Sequence, residues 1–222
     1  MTTPADHTHG PRILAEARRP APGLDGPVPP LPGFAASGFN PLVADTAERC
    51  LRALLGEPPA PGRTALLLAS ASGDAATARA IERSAEPGQR TSPLLFFQSN
   101  PNAVLGHIAA RWGLTGPLVA ICPAEAAAPG RVPADAHELA ALLLADGDAD
   151  RVLVIAAEQT ADGDHATAVL LTTAPPEDAP LTDAPLTAAP LTEALPEDTL
   201  LTAAHHPTPA EATGPAPGIR PS

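Results

Sequence analysis

The sequence predicts an α/β fold in which a layered, mixed β-sheet is flanked by helices. Short apolar runs without charged residues, typical of strands covered on both faces, alternate along the chain with helical patterns. The last two runs are separated only by a turn at Asp162-Gly163, which indicates a hairpin and therefore an antiparallel edge. Alternating strands and helices that end in a hairpin are the pattern of a mixed sheet with helices on its faces.

The prolines divide the chain into three parts. Eight of the 30 lie in residues 1–33 and eleven in residues 173–222, which leaves eleven for the 139 residues between them. Frequent proline interrupts both helices and sheet ladders. We therefore expect one folded domain at 34–173, between a disordered Pro-rich tail at 1–33 and a disordered acidic tail at 174–222.

The first helix of this domain is predicted to open at Asn40-Pro41. Asparagine is a good capping residue, and proline fits the first helical position because its missing N–H would be unpaired there in any case. Apolar residues then recur at intervals of three and four positions until Gly56 supplies the stop. Cys50 falls on this apolar stripe, so we expect it to be a core thiol rather than a catalytic one.

The rest of the domain follows from apolar runs and caps. We expect the helix after Asp74 to turn Ala78, Ile81 and Ala85 inward, because they share one helical face. The predicted elements are, in order, a buried strand at 63–70, the helix capped by Asp74, an extended stretch at 93–98, a helix opened by Asn100-Pro101 and ended by Gly113, a buried strand at 117–122, a helix at 135–145, and strands at 151–157 and 165–172.

Charge and composition exclude several classes of function. The net charge is −12, and all 13 basic residues are arginine, so binding to nucleic acid or to an anionic membrane is not expected. No apolar run approaches the ~20 residues of a membrane span, and the early prolines do not suit a signal peptide. We expect a cytoplasmic protein without a disulfide framework, because the two cysteines have no zinc-type or paired spacing.

The two tails carry few candidate features. From Ala179 the chain repeats in fives as APLTD, APLTA, APLTE and ALPED, which predicts an extended spacer, with a docking motif as the alternative. His7, His9, His205 and His206 could hold a metal ion loosely, but exposed histidines are the simpler interpretation. We therefore expect no metal and no cofactor.

Two polar segments of the domain allow a chemical interpretation and a simpler one. The segment SASGD at 70–74 follows a strand and precedes a helix, as a phosphate-binding loop does, but it lacks the lysine and most of the glycines of such loops. A capped turn is therefore expected. Glu158 with Asp162 and Asp164 could form a carboxylate pair for acid and base chemistry, although a polar hairpin is expected instead.

The segment FFQSNPNAVLGHIAARWGLTGPLVAI, at 96–121, resembles the β-ketoacyl synthases, which have the thiolase-like fold. In those enzymes an N-x-x-x-G helix that ends in G-L-x-G-P leads into the strand before the catalytic cysteine. The resemblance extends from 41 to about 173 and is closest to stand-alone β-ketoacyl synthase-like N-terminal domain proteins, which lack the second half of the fold. It implies structural roles for Asn100, Asn102, Gly106, Gly113, Gly116 and Pro117.

The resemblance also shows where this chain departs from the enzymes. Their nucleophilic cysteine lies eight positions after the proline of G-P, and here that position is Glu125. Cys122 comes three residues earlier, on the predicted strand, where we expect it to be buried. The two histidines and the lysine of a ketosynthase come from the second half, which we expect to be absent, and this sequence contains no lysine.

Two hypotheses of function follow from this resemblance. The first is a non-catalytic accessory or scaffolding protein of fatty-acid-like or polyketide-type biosynthesis. It would contact a ketosynthase, an acyl carrier protein or a second copy of itself, because half of the fold leaves an apolar face to be covered. The alternative is a degenerate acyl-thioester enzyme, a decarboxylase, acyltransferase or hydrolase, which would use Glu125 or Cys122.

Overall fold

The computed structural model describes residues 10–20, 26–86 and 92–173. The whole predicted acidic tail at 174–222, with its repeats and the histidines at 205 and 206, lies outside these residues, as do the histidines at 7 and 9. No helix in the described ranges is long and apolar enough to cross a bilayer. The elements are β1 (Arg12–Arg19), α1 (Phe39–Leu55), β2 (Thr64–Ala69), α2 (Ala75–Ser84), α3 (Pro93–Ser99), α4 (Pro101–Trp112), β3 (Leu118–Ile121), α5 (Ala134–Ala145), β4 (Arg151–Thr160) and β5 (Gly163–Thr172).

The five strands form one mixed sheet in the order β1-β5-β4-β2-β3. Strand β2 pairs in parallel with β3 and with β4. Strand β5 pairs antiparallel with β4 and with β1, so the hairpin predicted at Asp162-Gly163 is present. The predicted layered α/β architecture with a mixed sheet is therefore confirmed.

Both faces of the central strands are buried, which explains their continuous apolar sequences. Leu66 and Leu68 belong to the core cluster that includes residues of α1 and α4, whereas Ala65 and Leu67 belong to the cluster that includes residues of α5. Successive residues of a strand point to opposite faces, so a strand between two helical layers must be apolar at every position. Cys50 of α1 is fully buried in the first cluster, as predicted.

The N-terminal segment corrects the predicted tail at 1–33. Arg12–Arg19 form an edge strand, with Arg12 opposite Thr172 and Arg19 opposite Ala166. This stretch contains no proline, so its N–H groups can complete the ladder along β5. Arg19 is almost fully buried, and its Nε donates to Asp45 Oδ2 over 2.6 Å. The prediction of disorder was therefore wrong for β1.

Three predictions for the helical layer and the sheet edge were also wrong. The stretch at 93–98, predicted as extended, belongs to helix α3, because Ser92 caps it and Pro93 occupies its first turn. The strand predicted as buried at 117–122 is the edge strand β3, which has one neighbour in the described sheet. Helix α2 begins after the predicted Asp74 cap but buries only Thr77, while Ala78 and Ala85 are exposed.

The ends of helices α1 and α4 agree largely with prediction. Asn100 caps α4 by accepting the N–H of Asn102 over 2.9 Å, and Gly113 ends α4 in the left-handed conformation with φ 71°. Helix α1 ends at Gly56 as predicted but begins at Phe39. Because Ser37 Oγ accepts the Asn40 N–H over 2.8 Å, the Asn40 side chain is free for another role.

Candidate functional site

A cavity of about 240 Å³ opens where the parallel strands β2 and β3 end. Ligands of α/β proteins usually bind beyond the carboxyl ends of such strands. The apolar part of its lining includes Phe39, Leu68 and Ile121. The polar part includes Ser70, Asp74, Gln98 and Cys122, and we call this space the Gln98 cavity.

The side chain of Asn40 joins three elements at this cavity. Its Nδ2 donates to the backbone oxygen of Gln98 over 3.0 Å, to Asp74 Oδ2 over 3.1 Å and to Ser37 Oγ over 2.9 Å. Asp74 in turn caps α2 by accepting the N–H and the hydroxyl of Thr77. The capping role predicted for Asn40 was wrong, because its side chain ties α1 to α3 and to the start of α2.

Gln98 is the one buried residue of α3, whose other residues are exposed apart from the half-buried Leu95. Its exposed fraction is 2%, and its Oε1 has no hydrogen-bond partner in the described part of the chain. A buried acceptor without a partner costs about 1–3 kcal/mol, so such an atom calls for an explanation. Gln98 was not among the predicted site residues, because the apolar residues before it favoured an extended stretch at 93–98.

Cys122 lies at the cavity and is exposed, which corrects its predicted burial. The prediction failed because β3 ends at Ile121 and is an edge strand. No histidine occurs among the described residues that line the cavity. His107 lies beside the Phe34 ring at a centroid distance of 6.3 Å, and His165 binds a backbone oxygen elsewhere.

The second thiol, that of Cys50, is not reactive in the folded protein. Cys50 is fully buried in α1, and burial raises its pKa to about 12, with a smaller opposing effect from a backbone hydrogen bond to Leu170. A thiol is nucleophilic only as the thiolate, so Cys50 is unreactive near neutral pH. Its predicted assignment to the core is confirmed.

Glu125, at the position that the resemblance assigns to the nucleophile, lies in the loop between β3 and α5. It is exposed and lines a shallow groove formed by residues 123–128 and 131–135. Cys122 lines the Gln98 cavity instead. The described structure therefore places the two candidate nucleophiles on different surface features.

Glu158 is a buried carboxylate that holds two loops. Its Oε1 accepts the N–H of Ala71 over 2.9 Å and that of Ala127 over 3.3 Å, and its Oε2 accepts the N–H of Ser72 over 2.9 Å. Burial raises the pKa of this carboxyl, but the hydrogen bonds outweigh burial and leave its pKa lowered. Glu158 is therefore an anion that fixes the loops after β2 and β3, and not part of a simple polar hairpin.

The same contacts decide the interpretation of the segment at 70–74. The N–H groups of Ala71 and Ser72 are occupied by Glu158, so they are not available to a phosphate. Ser70 Oγ accepts the Gly73 N–H over 2.9 Å, and Asp74 caps the next helix. The expected capped turn is confirmed.

The motif residues at 113–117 bring β3 against β2. A Cβ on Gly116 would lie 2.5 Å from the backbone of Thr64 and Ala65, so only glycine fits this crossing. The carbonyl of Pro117 accepts the Leu66 N–H over 2.9 Å. Gly106, by contrast, has nothing within 4 Å of such a Cβ.

No protein-family model matches this chain, and no curated protein matches it. Solved structures do resemble it. The complex of the ketosynthase ApeO with its chain length factor ApeC, from Xenorhabdus doucetiae, matches with a TM-score of 0.54 and 16% identity, over 74% of this chain and 79% of the other.

The ishigamide ketosynthase/chain length factor matches with a TM-score of 0.51 and 19% identity, over 72% of this chain and 50% of the other. This chain thus spans about half the length of that second protein. At such identities the likeness establishes the fold. The chain has the thiolase-like fold of the ketosynthases, as the motif at 96–121 predicts.

Proposed function

We propose that this chain is a non-catalytic, ketosynthase-like accessory subunit that pairs with a ketosynthase in polyketide-type or fatty-acid-like biosynthesis. The fold supports this proposal, because both structures described above combine a ketosynthase with a chain length factor. Fold alone does not assign function, so the residues at the site must support the same role.

The observation that carries the proposal is the surroundings of Cys122. A cysteine nucleophile needs a neighbouring base or positive charge to form its thiolate. Besides Cys122, the described lining of the Gln98 cavity has no imidazole, and its polar side chains are those of Asn40, Ser70, Asp74, Gln98 and Ser99. Lysine is absent from the sequence altogether. Among the residues that line this cavity, the thiol therefore lacks the histidine and lysine partners of a condensing enzyme.

Glu125 supports the same conclusion. A carboxylate exposed to water is a weak nucleophile, and covalent carboxylate catalysis depends on a site that orients and desolvates it. Glu125 lies in an open groove of its own loop, away from the Gln98 cavity. The position that the resemblance assigns to the nucleophile therefore holds a solvated acid.

Helix α3 offers the apolar surface that a partner would cover. It packs against α2 and α4, yet Leu94, Phe96 and Phe97 remain about half or more exposed. Exposed aromatic side chains that lie close together are typical of protein interfaces. A ketosynthase subunit is the partner proposed here, because the fold neighbours are ketosynthase complexes.

Co-expression with a ketosynthase from the same organism tests this proposal. We expect the two chains to elute together in size-exclusion chromatography, and Phe96→Asp to weaken the complex at least about 30-fold, because a carboxylate would be buried in an apolar contact. Leu142→Asp is the matched control, since Leu142 is 57% exposed on α5 and Phe96 is 59% exposed on α3.

The control variant should still form the complex. Elution of the wild-type chain apart from the ketosynthase, as a monomer or as a homodimer, would contradict the proposal. Equal binding by Phe96→Asp and the wild type would instead remove α3 from the interface.

A further inference from the structure

We propose that the segment at 26–33, GPVPPLPG, is a docking site for a protein domain that binds polyproline II helices through a groove lined with aromatic side chains. We call this segment the proline ridge. The inference goes beyond the accessory role and does not depend on a ketosynthase. It stands on three observations: the covalent limits on the backbone of the ridge, the period of its exposure, and the spacing of its exposed prolines.

The sequence leaves the backbone of the proline ridge little choice. A proline ring holds φ at about −65°, and the residue before a proline favours an extended conformation. Every residue from 27 to 32 is a proline or precedes one. The peptide bonds before these prolines are trans, because the cis bonds of the described chain precede Pro20 and Pro59. These limits favour the polyproline II helix, an extended left-handed helix with three residues per turn.

The exposure of the ridge has the period of such a helix. From residue 26 to residue 33, two exposed residues alternate with one half-buried residue. The half-buried residues are Val28 and Leu31, which pack against the core cluster that includes residues of α1 and α4. In a polyproline II helix, residues three positions apart lie on the same edge. The ridge therefore lies on the domain along a single edge and turns its other two edges to solvent.

The prolines occupy the two exposed edges. Pro27 and Pro30 share one edge, Pro29 and Pro32 share the other, and all four are exposed. Domains that bind polyproline II helices recognise prolines at this P-x-x-P spacing and hold them in aromatic grooves. The edges that carry the prolines are thus open to such a groove, while the edge without prolines is held by the core.

The ridge is also held near both ends. Nη1 of the Arg19 side chain donates to the Gly26 carbonyl over 2.8 Å, and the N–H of the buried Phe34 donates to the Leu31 carbonyl over 3.1 Å. A segment that is ordered before binding loses less conformational entropy when a partner binds. A connection from β1 to α1 does not require prolines outside and Val28 and Leu31 inside, whereas a docking site does.

A panel of purified SH3 and WW domains, offered to the immobilised full-length chain in surface plasmon resonance, tests the proposal. We expect binding by at least one domain, with chemical-shift changes at its groove tryptophan in NMR spectra of the labelled domain. Pro30→Ala should weaken binding at least about fivefold, because it removes ring contacts from the middle of the ridge. Pro27→Ala changes the same edge and gives a second measurement.

Pro129→Ala is the matched control and should bind as the wild type does. Pro129 is exposed, lies outside the ridge and has no proline three positions away. Circular dichroism should show all three variants folded, because the replaced side chains are exposed. The capped peptide GPVPPLPG should displace the full-length chain from the domain, since it carries the same two proline edges.

The proposal would be overturned by a panel in which no domain binds the wild-type chain. Binding that is unchanged in Pro30→Ala and Pro27→Ala, or weakened equally by Pro129→Ala, would also overturn it. A complex that the peptide does not displace would show that the domain recognises another surface, which contradicts the proposal as well.

Discussion

Glu158 and His165 face each other across the β4–β5 hairpin and hold opposite groups of a single residue, Ala127. Glu158 Oε1 accepts the Ala127 N–H over 3.3 Å, and His165 Nε2 lies 2.9 Å from the Ala127 carbonyl oxygen. A carbonyl oxygen only accepts, so Nε2 of His165 carries the proton. This pair anchors the loop that begins with Cys122 and contains Glu125.

Replacement of Glu158 by glutamine should destabilise the protein by about 2–3 kcal/mol. The amide has one acceptor oxygen in place of two, and its NH₂ would face backbone N–H groups that need an acceptor. The free energy of unfolding in urea measures the effect, with Glu125→Gln as an exposed control that should change stability by less than about 0.5 kcal/mol. Similar stabilities for the two variants would show that Glu158 does not anchor the loops.

The stability difference between wild type and Glu158→Gln should depend on pH. The pKa of Glu158 is lowered in the folded protein, so its contribution is complete above the unfolded value of about 4.3 and is lost as pH falls through the lower folded value. Urea midpoints measured from pH 7 downward should therefore converge only at acid pH. A difference that stays constant down to the acid transition would contradict the lowered pKa.

Gly116 and Gly106 should respond in opposite directions to alanine. Gly116→Ala would place Cβ 2.5 Å from the backbone of β2, and we expect a loss of about 2–3 kcal/mol because β3 must move away. Gly106→Ala meets nothing within 4 Å inside helix α4 and should gain about 0.5–1 kcal/mol.

The fluorescence of Trp112, the single tryptophan, follows unfolding in both variants, since it is fully buried against α1. Equal effects of the two substitutions would mean that the close approach at Gly116 is not required.

Native protein should expose one reactive thiol to Ellman's reagent at pH 8. Cys122 is exposed, whereas Cys50 is buried and burial raises its pKa to about 12. We expect one equivalent of released thiolate in buffer, two in guanidinium chloride, and none in buffer for Cys122→Ser. Two fast equivalents from the native wild type would place Cys50 outside the core.

Acyl thioesters should leave the protein unmodified, as expected of an accessory subunit. Incubation with acetyl and longer acyl N-acetylcysteamine thioesters, followed by intact-protein mass spectrometry, checks this expectation. Cys122→Ser is the control for direct thiol transfer. A covalent acyl adduct in the wild type that disappears in Cys122→Ser would favour the alternative, a degenerate acyl-thioester enzyme.

Much of the sheet could be predicted because its physics is local in the sequence. Strand β2 lies between two helical layers and is apolar from Ala65 to Ala69, and Asn100 and Gly113 mark the ends of α4 by their capping chemistry. The hairpin turn at Asp162-Gly163 has the same local origin. These features depend on near neighbours along the chain, so they can be recognised in the sequence without knowledge of the fold.

The candidate site depends on contacts that are distant in sequence. Glu158 meets Ala71 and Ala127 across 87 and 31 positions, and Asn40 meets Gln98 across 58. No spacing rule links such residues. The exposure of Cys122 likewise follows from the strand order, which places β3 at an edge of the sheet. The local sequence pattern of a strand does not determine its position in that order.

Strand β1 has a practical consequence for anyone who shortens this protein. A fragment that begins at residue 34, where the density of prolines falls, would leave the ladder groups of β5 without their neighbour and uncover apolar surface beside Leu14 and Ala17. In such a fragment β5 would be an exposed edge strand with unpaired backbone groups, and the fragment would be prone to aggregate. Recombinant versions should therefore begin before Arg12, so that β1 is complete.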